Sequence, residues 1–181
     1  MAMNTAALKK KIYEVKDYPK PGVGFKDITP LVSDKDTYRA VIDALSAWAK
    51  TRKPDLIVGI ESRGYLFAAP VARDLKRGLA VIRKKGKLPR ATVSVEAPNE
   101  YAVEVFEMHA DAVVPGQRVL IIDDLIATGS SSIAALNLIK KLKGVPVGFG
   151  AAIELGFLGG VPAIRKAHPG VPVFTLIKYK K

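Results

Sequence analysis

Five short stretches of the chain are apolar almost without a break. They are DLIVGI after Pro54, LAVIR at 79–83, RVLIIDD at 118–124, VPVGFGAAI at 145–153 and PVFTLI at 172–177. A strand with one wet face alternates polar and apolar residues; a continuous apolar run must be covered on both faces. Helical periodicity fills the gaps between the runs. Ala40, Val41, Ala44, Leu45 and Trp48 share one face of a helix predicted over 36–51, with Ser33 or Asp34 as its cap. Further helices are predicted over 64–76 and 129–143, the latter burying Ile133, Leu136, Ile139 and Leu142, with a short one near 162–167. Strands alternating with helices predict an α/β fold built on a parallel sheet, with helices on both faces. In such folds ligands bind beyond the carboxyl ends of the strands.

The remaining segments are less regular. Residues 5–15 read as a helical stub, and the Pro- and Gly-rich stretch DYPKPGVGFKDITP at 17–30 as irregular. Beyond RKKGKLPR, alternation in TVSV and again in AVEVFEM predicts a β-hairpin standing away from the core. At 181 residues the chain suits one compact domain. Residues 145–164 carry a single charge, Glu154, but also Pro146, Pro162 and five glycines. That content fits a buried strand and a loop better than a bilayer span.

Charge narrows the possible partners without choosing one. Lys and Arg number 29 against 17 Asp and Glu, a net +12, so nucleic acid, acidic membranes and phosphorylated small molecules would all be attracted. The chain has no cysteine, which excludes a disulfide framework, a Cys-based zinc site and a thiol nucleophile. His109 and His168 are its only histidines, too few for a His-rich metal site. The first eleven residues lack the apolar stretch and cleavage site of a secretory signal, so a soluble, cytoplasmic protein is expected.

The most informative segment is RVLIIDDLIATGSSSIAAL at 118–136. An apolar strand leads to Asp123 and Asp124; the turn Ala127, Thr128, Gly129, Ser130, Ser131 follows, and then a helix begins. Unpaired N–H groups at a helix start, three hydroxyls, and a glycine that lets the backbone approach closely form a nest for a terminal phosphate. Two carboxylates would repel that phosphate unless sugar hydroxyls or Mg²⁺ lay between. Phosphate, diol and metal together describe a phosphorylated ribose. The spacing is not that of a Walker loop. The same residues also fit a second reading, in which Asp, Thr and Ser only cap the helix.

This segment resembles the 5-phosphoribosyl-1-pyrophosphate motif of the type I phosphoribosyltransferases. Ala127 stands where the 6-oxopurine enzymes carry Asp, which resembles the adenine branch of that family. Further matches to that branch follow in order: KPGVGFKDITPL at 20–31, GIESRGYLFAAPVA at 59–72, IRKKGKLP at 82–89, NEY at 99–101 and IELGFLGG at 153–160. The resemblance implies a Rossmann-like type I phosphoribosyltransferase core over 35–181, an N-terminal hood over 1–34 and a protruding hairpin. It implies purine salvage: a pentosyltransferase that moves 5-phosphoribosyl from phosphoribosyl pyrophosphate to adenine, giving AMP and pyrophosphate, with Mg²⁺ held mainly by the substrate.

The resemblance also assigns residues. Thr128, Gly129, Ser130 and Ser131, with Ala127, would hold the 5-phosphate, and Asp123 and Asp124 the ribose hydroxyls. Arg63 lies in the pyrophosphate loop, where the family tends to have a cis peptide between the positions of Glu61 and Ser62. Arg83 and Lys87 belong to a positive cluster with Lys84 and Lys85, part of which reaches the neighbouring subunit's site, implying a homodimer. Phe25 would stack on adenine while Val23 and Lys26 read its edge. Glu100, beside Tyr101, matches the glutamate proposed to take the N9 proton. Read without the resemblance, Phe25 is a packing residue, Glu100 a solvated loop carboxylate and the lysine cluster a wet surface. Arg90 replaces a usual Gly, and Ser130 replaces the usual second Gly, where a Cβ would obstruct a backbone needing positive φ. The alternatives are a nucleic-acid-binding regulator on the same fold and a salvage enzyme for another base; the chain shows no appended DNA-binding module.

Overall fold

The computed structural model describes residues 4–180 apart from 19, 23 and 99–102. The chain divides into two units, 1–44 and 45–181.

In the first unit, α1 (Thr5–Lys9) is capped by Asn4, whose side chain accepts from the Ala6 N–H at 3.0 Å. The helical stub is shorter than expected. Tyr13–Val15 instead forms strand β1, paired antiparallel with β2 (Phe25–Asp27), so the Pro- and Gly-rich stretch is not wholly irregular. Helix α2 (Thr29–Ser33) leads into α3 (Lys35–Arg52), which runs across the division between the units. Of the two expected caps, Ser33 and Asp34, it is Asp34 that caps α3, accepting from the N–H groups of Asp36 and Thr37.

The second unit is a seven-stranded sheet in the order β5-β6-β4-β3-β7-β8-β9. Its strands are β3 (Leu56–Ile60), β4 (Gly78–Lys84), β5 (Thr92–Pro98), β6 (Val103–His109), β7 (Arg118–Ile126), β8 (Val145–Leu155) and β9 (Val173–Tyr179). Strands β4, β3, β7, β8 and β9 are parallel; β6 and β5 are added antiparallel at one edge. Helices α4 (Gly64–Leu75), α5 (Ser130–Lys141) and α6 (Gly160–Ala167) complete the unit.

The apolar runs are covered on both sides, as their composition requires. Val58, Ile60, Val119 and Ile121 belong to the same buried cluster as Ala134, Ala135, Leu138 and Ile139 of α5. On the opposite face, glycines in the strands make room for bulk. A Cβ at Gly148 would come within 2.8 Å of both Leu120 and Trp48, and one at Gly59 within 2.9 Å of Tyr65 and Ala68. Trp48 also stacks on Phe174 at 5.2 Å.

The hairpin departs from expectation. Strands β5 and β6 pair from Thr92↔His109 to Pro98↔Val103, but they do not stand away from the core. Strand β6 pairs with β4, and Ala97, Phe106 and Met108 are buried in the main cluster. Alternation reports one wet face, which an edge strand of a large sheet also has. Whether the tip protrudes lies outside the described residues.

The order of the parallel strands locates the site. From β3 the chain crosses through α4 to β4 on one side. From β7 it crosses through α5 to β8 on the other. Strands β3 and β7 are neighbours, so a crevice opens between their carboxyl ends, where the direction of winding reverses.

Candidate active site

The loops following β3 and β7 face each other across that crevice. Strand β7 runs two residues beyond the predicted 118–124, so Asp123 and Asp124 lie within the strand rather than at its end. Leu125 and Ile126 still pair with β8. Both carboxylates are consequently buried, at 7% and 5% exposure. Asp123 Oδ1 accepts from the Asp124 N–H at 2.9 Å.

Burial pushes the Asp123 carboxyl well above its ordinary range, and the Asp124 charge beside it adds to the rise. Burial also raises Asp124, with Arg63 opposing it. Arg63 Nε lies 2.9 Å from Asp124 Oδ2, an ion pair that ties the β3 loop to the β7 strand. The approach is close because Gly64 lacks a side chain. A Cβ there would stand 2.7 Å from Asp123 Oδ1 and 3.1 Å from the Ile122 carbonyl. The peptide bond between Glu61 and Ser62 is cis, as the resemblance implied.

The loop from Ala127 to Ser131 settles into the start of α5. Gly129 takes φ 88°, ψ −2° and supplies no side-chain cap. Thr128 Oγ1 and Ser130 Oγ lie 3.1 Å apart, paired with each other rather than spent on a cap. This removes the main support for the plain capping reading. Ser130 does not have positive φ; that burden falls wholly on Gly129, so the extra Cβ at 130 meets no backbone conflict.

Gly160, which the sequence reading did not single out, closes the loop from behind. A Cβ on Gly160 would lie 2.2 Å from the Ala127 carbonyl, and one on Gly129 would lie 2.8 Å from the Gly160 carbonyl. The two main chains therefore touch directly, and the conspicuous IELGFLGG match gains a physical reason.

The positive cluster is organised around Glu61. Its carboxylate accepts from Lys87 Nζ at 2.5 Å, from the Lys84 N–H at 3.0 Å and from Arg83 Nε at 3.3 Å. Burial acts to raise Glu61, but these partners prevail and hold it below its ordinary value. Lys84 also pairs with Glu104. Arg90 pairs with Asp111 on the surface, so its charge has a partner there.

Phe25 and Lys26 lie on β2 of the first unit, where Phe25 meets Tyr18 edge-on at 5.1 Å and Lys26 donates to Glu14 at 2.8 Å. Val23, Glu100 and Tyr101 lie outside the described residues.

This geometry agrees with the comparisons. The model of the phosphoribosyl transferase domain family matches residues 31–156. The chain belongs to the phosphoribosyltransferase family. It is 49% identical over 170 residues to an adenine phosphoribosyltransferase of Desulfitobacterium hafniense, covering 94% of this chain and 96% of that one. It is 50% identical to one of Caldicellulosiruptor bescii over 173 residues, covering 96% and 97%. The crystal structure of an adenine phosphoribosyltransferase from Thermoanaerobacter pseudethanolicus superposes with a TM-score of 0.91 at 41% identity, covering 97% of this chain and all of that one. In this phosphoribosyltransferase, then, the fold brings together Arg63, Asp123, Asp124 and the 127–131 loop, while Arg83 and Lys87 gather on Glu61.

Proposed function

We propose that the chain works in purine salvage, transferring the 5-phosphoribosyl group from phosphoribosyl pyrophosphate to adenine and releasing pyrophosphate and AMP. The observation that carries this reading is the Arg63–Asp124 ion pair. It couples an anion-binding loop after β3 to a buried acidic pair on β7, next to a loop suited to a phosphate. The relatives named above bear the same activity in their names. A yeast adenine phosphoribosyltransferase, 34% identical with a TM-score of 0.87, was crystallised with adenine and an imino-altritol bisphosphate. It covers 96% of this chain and 98% of its own.

In the proposed mechanism, the N–H groups at the start of α5 and the hydroxyls of Thr128, Ser130 and Ser131 hold the 5-phosphate. Ala127 and Gly129 shape that cradle. Asp123 and Asp124 accept from the ribose hydroxyls. As carboxylates in a buried site, the pair would favour positive charge beside them, and positive charge develops on the ribose ring as pyrophosphate departs from C1′. Arg63, Arg83 and Lys87 take the negative charge of the leaving group. Phe25 stacks on adenine, with Val23 and Lys26 at its edge. Glu100 receives the N9 proton as N9 bonds to C1′, and Tyr101 stands alongside. Holding both substrates in line supplies much of the rate.

Among the described residues no group of three or more acidic or imidazole side chains could cage a metal. Two neighbouring carboxylates fit Mg²⁺, which is usually held by one or two carboxylates together with substrate phosphates and water. The ion would be held mainly by the substrate, with Asp123 and Asp124 the nearest protein carboxylates, and it would neutralise diphosphate charge. The hood over 1–34, the homodimer and the cytoplasmic location are part of the same proposal. No described helix is long and apolar enough to cross a membrane.

A coupled assay for pyrophosphate release, run with adenine, hypoxanthine, guanine and orotate side by side, tests the reading. Adenine alone should support turnover. Faster turnover with another base would reassign the specificity, and no turnover with any would remove the enzymatic reading.

A further inference from the structure

Lys87 sits in a lysine-rich, half-exposed turn, the kind of place where a lysine side chain usually moves freely. Here each of its polar groups is engaged. Its N–H donates to Glu107 Oε1 at 3.1 Å. Its carbonyl accepts from Arg83 Nη1 at 3.0 Å. Its ammonium donates to Glu61 Oε1 at 2.5 Å. The neighbouring Leu88 N–H donates to the same Glu107 oxygen at 3.1 Å, and Thr92 Oγ1 donates to the other at 3.2 Å.

Glu107 is 4% exposed and lies on β6, directly opposite Arg83 of β4. A buried carboxylate is costly unless its oxygens are satisfied, and this one is satisfied largely by the main chain of a surface turn. The turn itself needs Gly86 at φ 84°. It therefore has a fixed shape, and the carboxylates on either side of β4 set where the ammonium stands.

We infer that Glu107 and Glu61 are positioning residues for the pyrophosphate end of the substrate, acting through Lys87. Glu107 holds the main chain of the turn, and Glu61 holds the side chain at the loop that carries Arg63. The inference rests on the assignment of Lys87 to pyrophosphate made above. Preorganised cations stabilise a leaving group better than mobile ones, because no rearrangement is needed as charge develops.

A double-mutant cycle on the full-length enzyme tests this, with KM measured separately for phosphoribosyl pyrophosphate and adenine. Lys87→Ala and Glu107→Ala should each raise KM for the diphosphate about tenfold and leave KM for adenine within about twofold. The double variant should be no worse than the weaker-binding single one, because Glu107 has nothing left to position. Glu107→Gln, which keeps an oxygen able to accept from both N–H groups, should restore most of the loss. Glu61→Gln leaves the buried hairpin untouched and should show the same dependence on Lys87, so the cycle can be closed even if Glu107→Ala does not fold. Effects that multiply in the double variants overturn the positioning role, as does an equal rise in both KM values. A silent Lys87→Ala overturns the assignment of Lys87 itself, and the positioning role with it.

Discussion

The two corners that the proposal assigns to the two anionic ends of the substrate are built differently. The loop after β7 is made of main chain and hydroxyls, and its shape comes from close backbone contact between Gly129 and Gly160. The corner formed by Glu61, Arg83 and Lys87 is made of long side chains held by carboxylates. A main-chain cradle has little freedom to lose and tolerates no added atom. A side-chain cradle tolerates substitution, but each cation must be held in place by a partner. On the proposed assignment the difference suits the two ends of the substrate: the 5-phosphate would stay throughout the reaction, whereas the pyrophosphate would be gripped and then released.

The sharpest way to break this comparison is at Gly160. A Cβ there would stand 2.2 Å from the Ala127 carbonyl and 2.9 Å from the Gly129 nitrogen, both backbone atoms that cannot swing aside. Gly160→Ala should displace the loop and abolish AMP binding measured by calorimetry. Its overpacking cost of about 1–3 kcal/mol should lower Tm by roughly 2–4 °C per kcal/mol. Wild-type AMP affinity in this variant would mean that the phosphate is not held by the 127–131 loop. A smaller loss is expected at the seam between the corners. Asp124→Asn keeps the shape but removes the charge that meets Arg63 and the ribose. It should reduce kcat/KM for phosphoribosyl pyrophosphate by about two orders of magnitude. Unchanged kinetics would exclude its role at the ribose.

The same contrast explains what could be read from the sequence. The β7 corner is local: strand, acidic pair, turn and helix follow one another within twenty residues, and both glycine and hydroxyls are visible in the string. The central parallel strands were legible for a similar reason, since a strand covered on both faces has no polar alternation to confuse. The side-chain corner was only half legible. Arg83 and Lys87 stood out as charge, but Glu61 follows β3 and Glu107 lies on β6, and their meeting with the turn is made by strand order. Glu107 also sits in an alternating segment, where a carboxylate normally marks the wet face; here that position is buried. The hairpin was misplaced by the same alternation. Gly160 was hidden because the need for it lies in a carbonyl more than thirty residues away.

Acid should separate the two corners by the smallest of these effects. Lys87, the Lys84 N–H and Arg83 hold the Glu61 carboxyl below its ordinary value of 4.5, against the opposing pull of burial. A lowered folded-state value means that the unfolded chain takes up its proton first as pH falls. The stability from these contacts is complete above pH 4.5 and disappears as pH drops from there through the folded-state value. Glu61→Gln has no such proton to gain. At pH 7 it should be less stable than the wild type by about 1 kcal/mol, because its partners are largely wet. The gap should close as denaturant titrations are repeated below pH 4.5. A gap that stayed constant from neutral to acid pH would show that the ion pairs of Glu61 contribute nothing, leaving the shape of its side chain as the only thing the cationic corner uses.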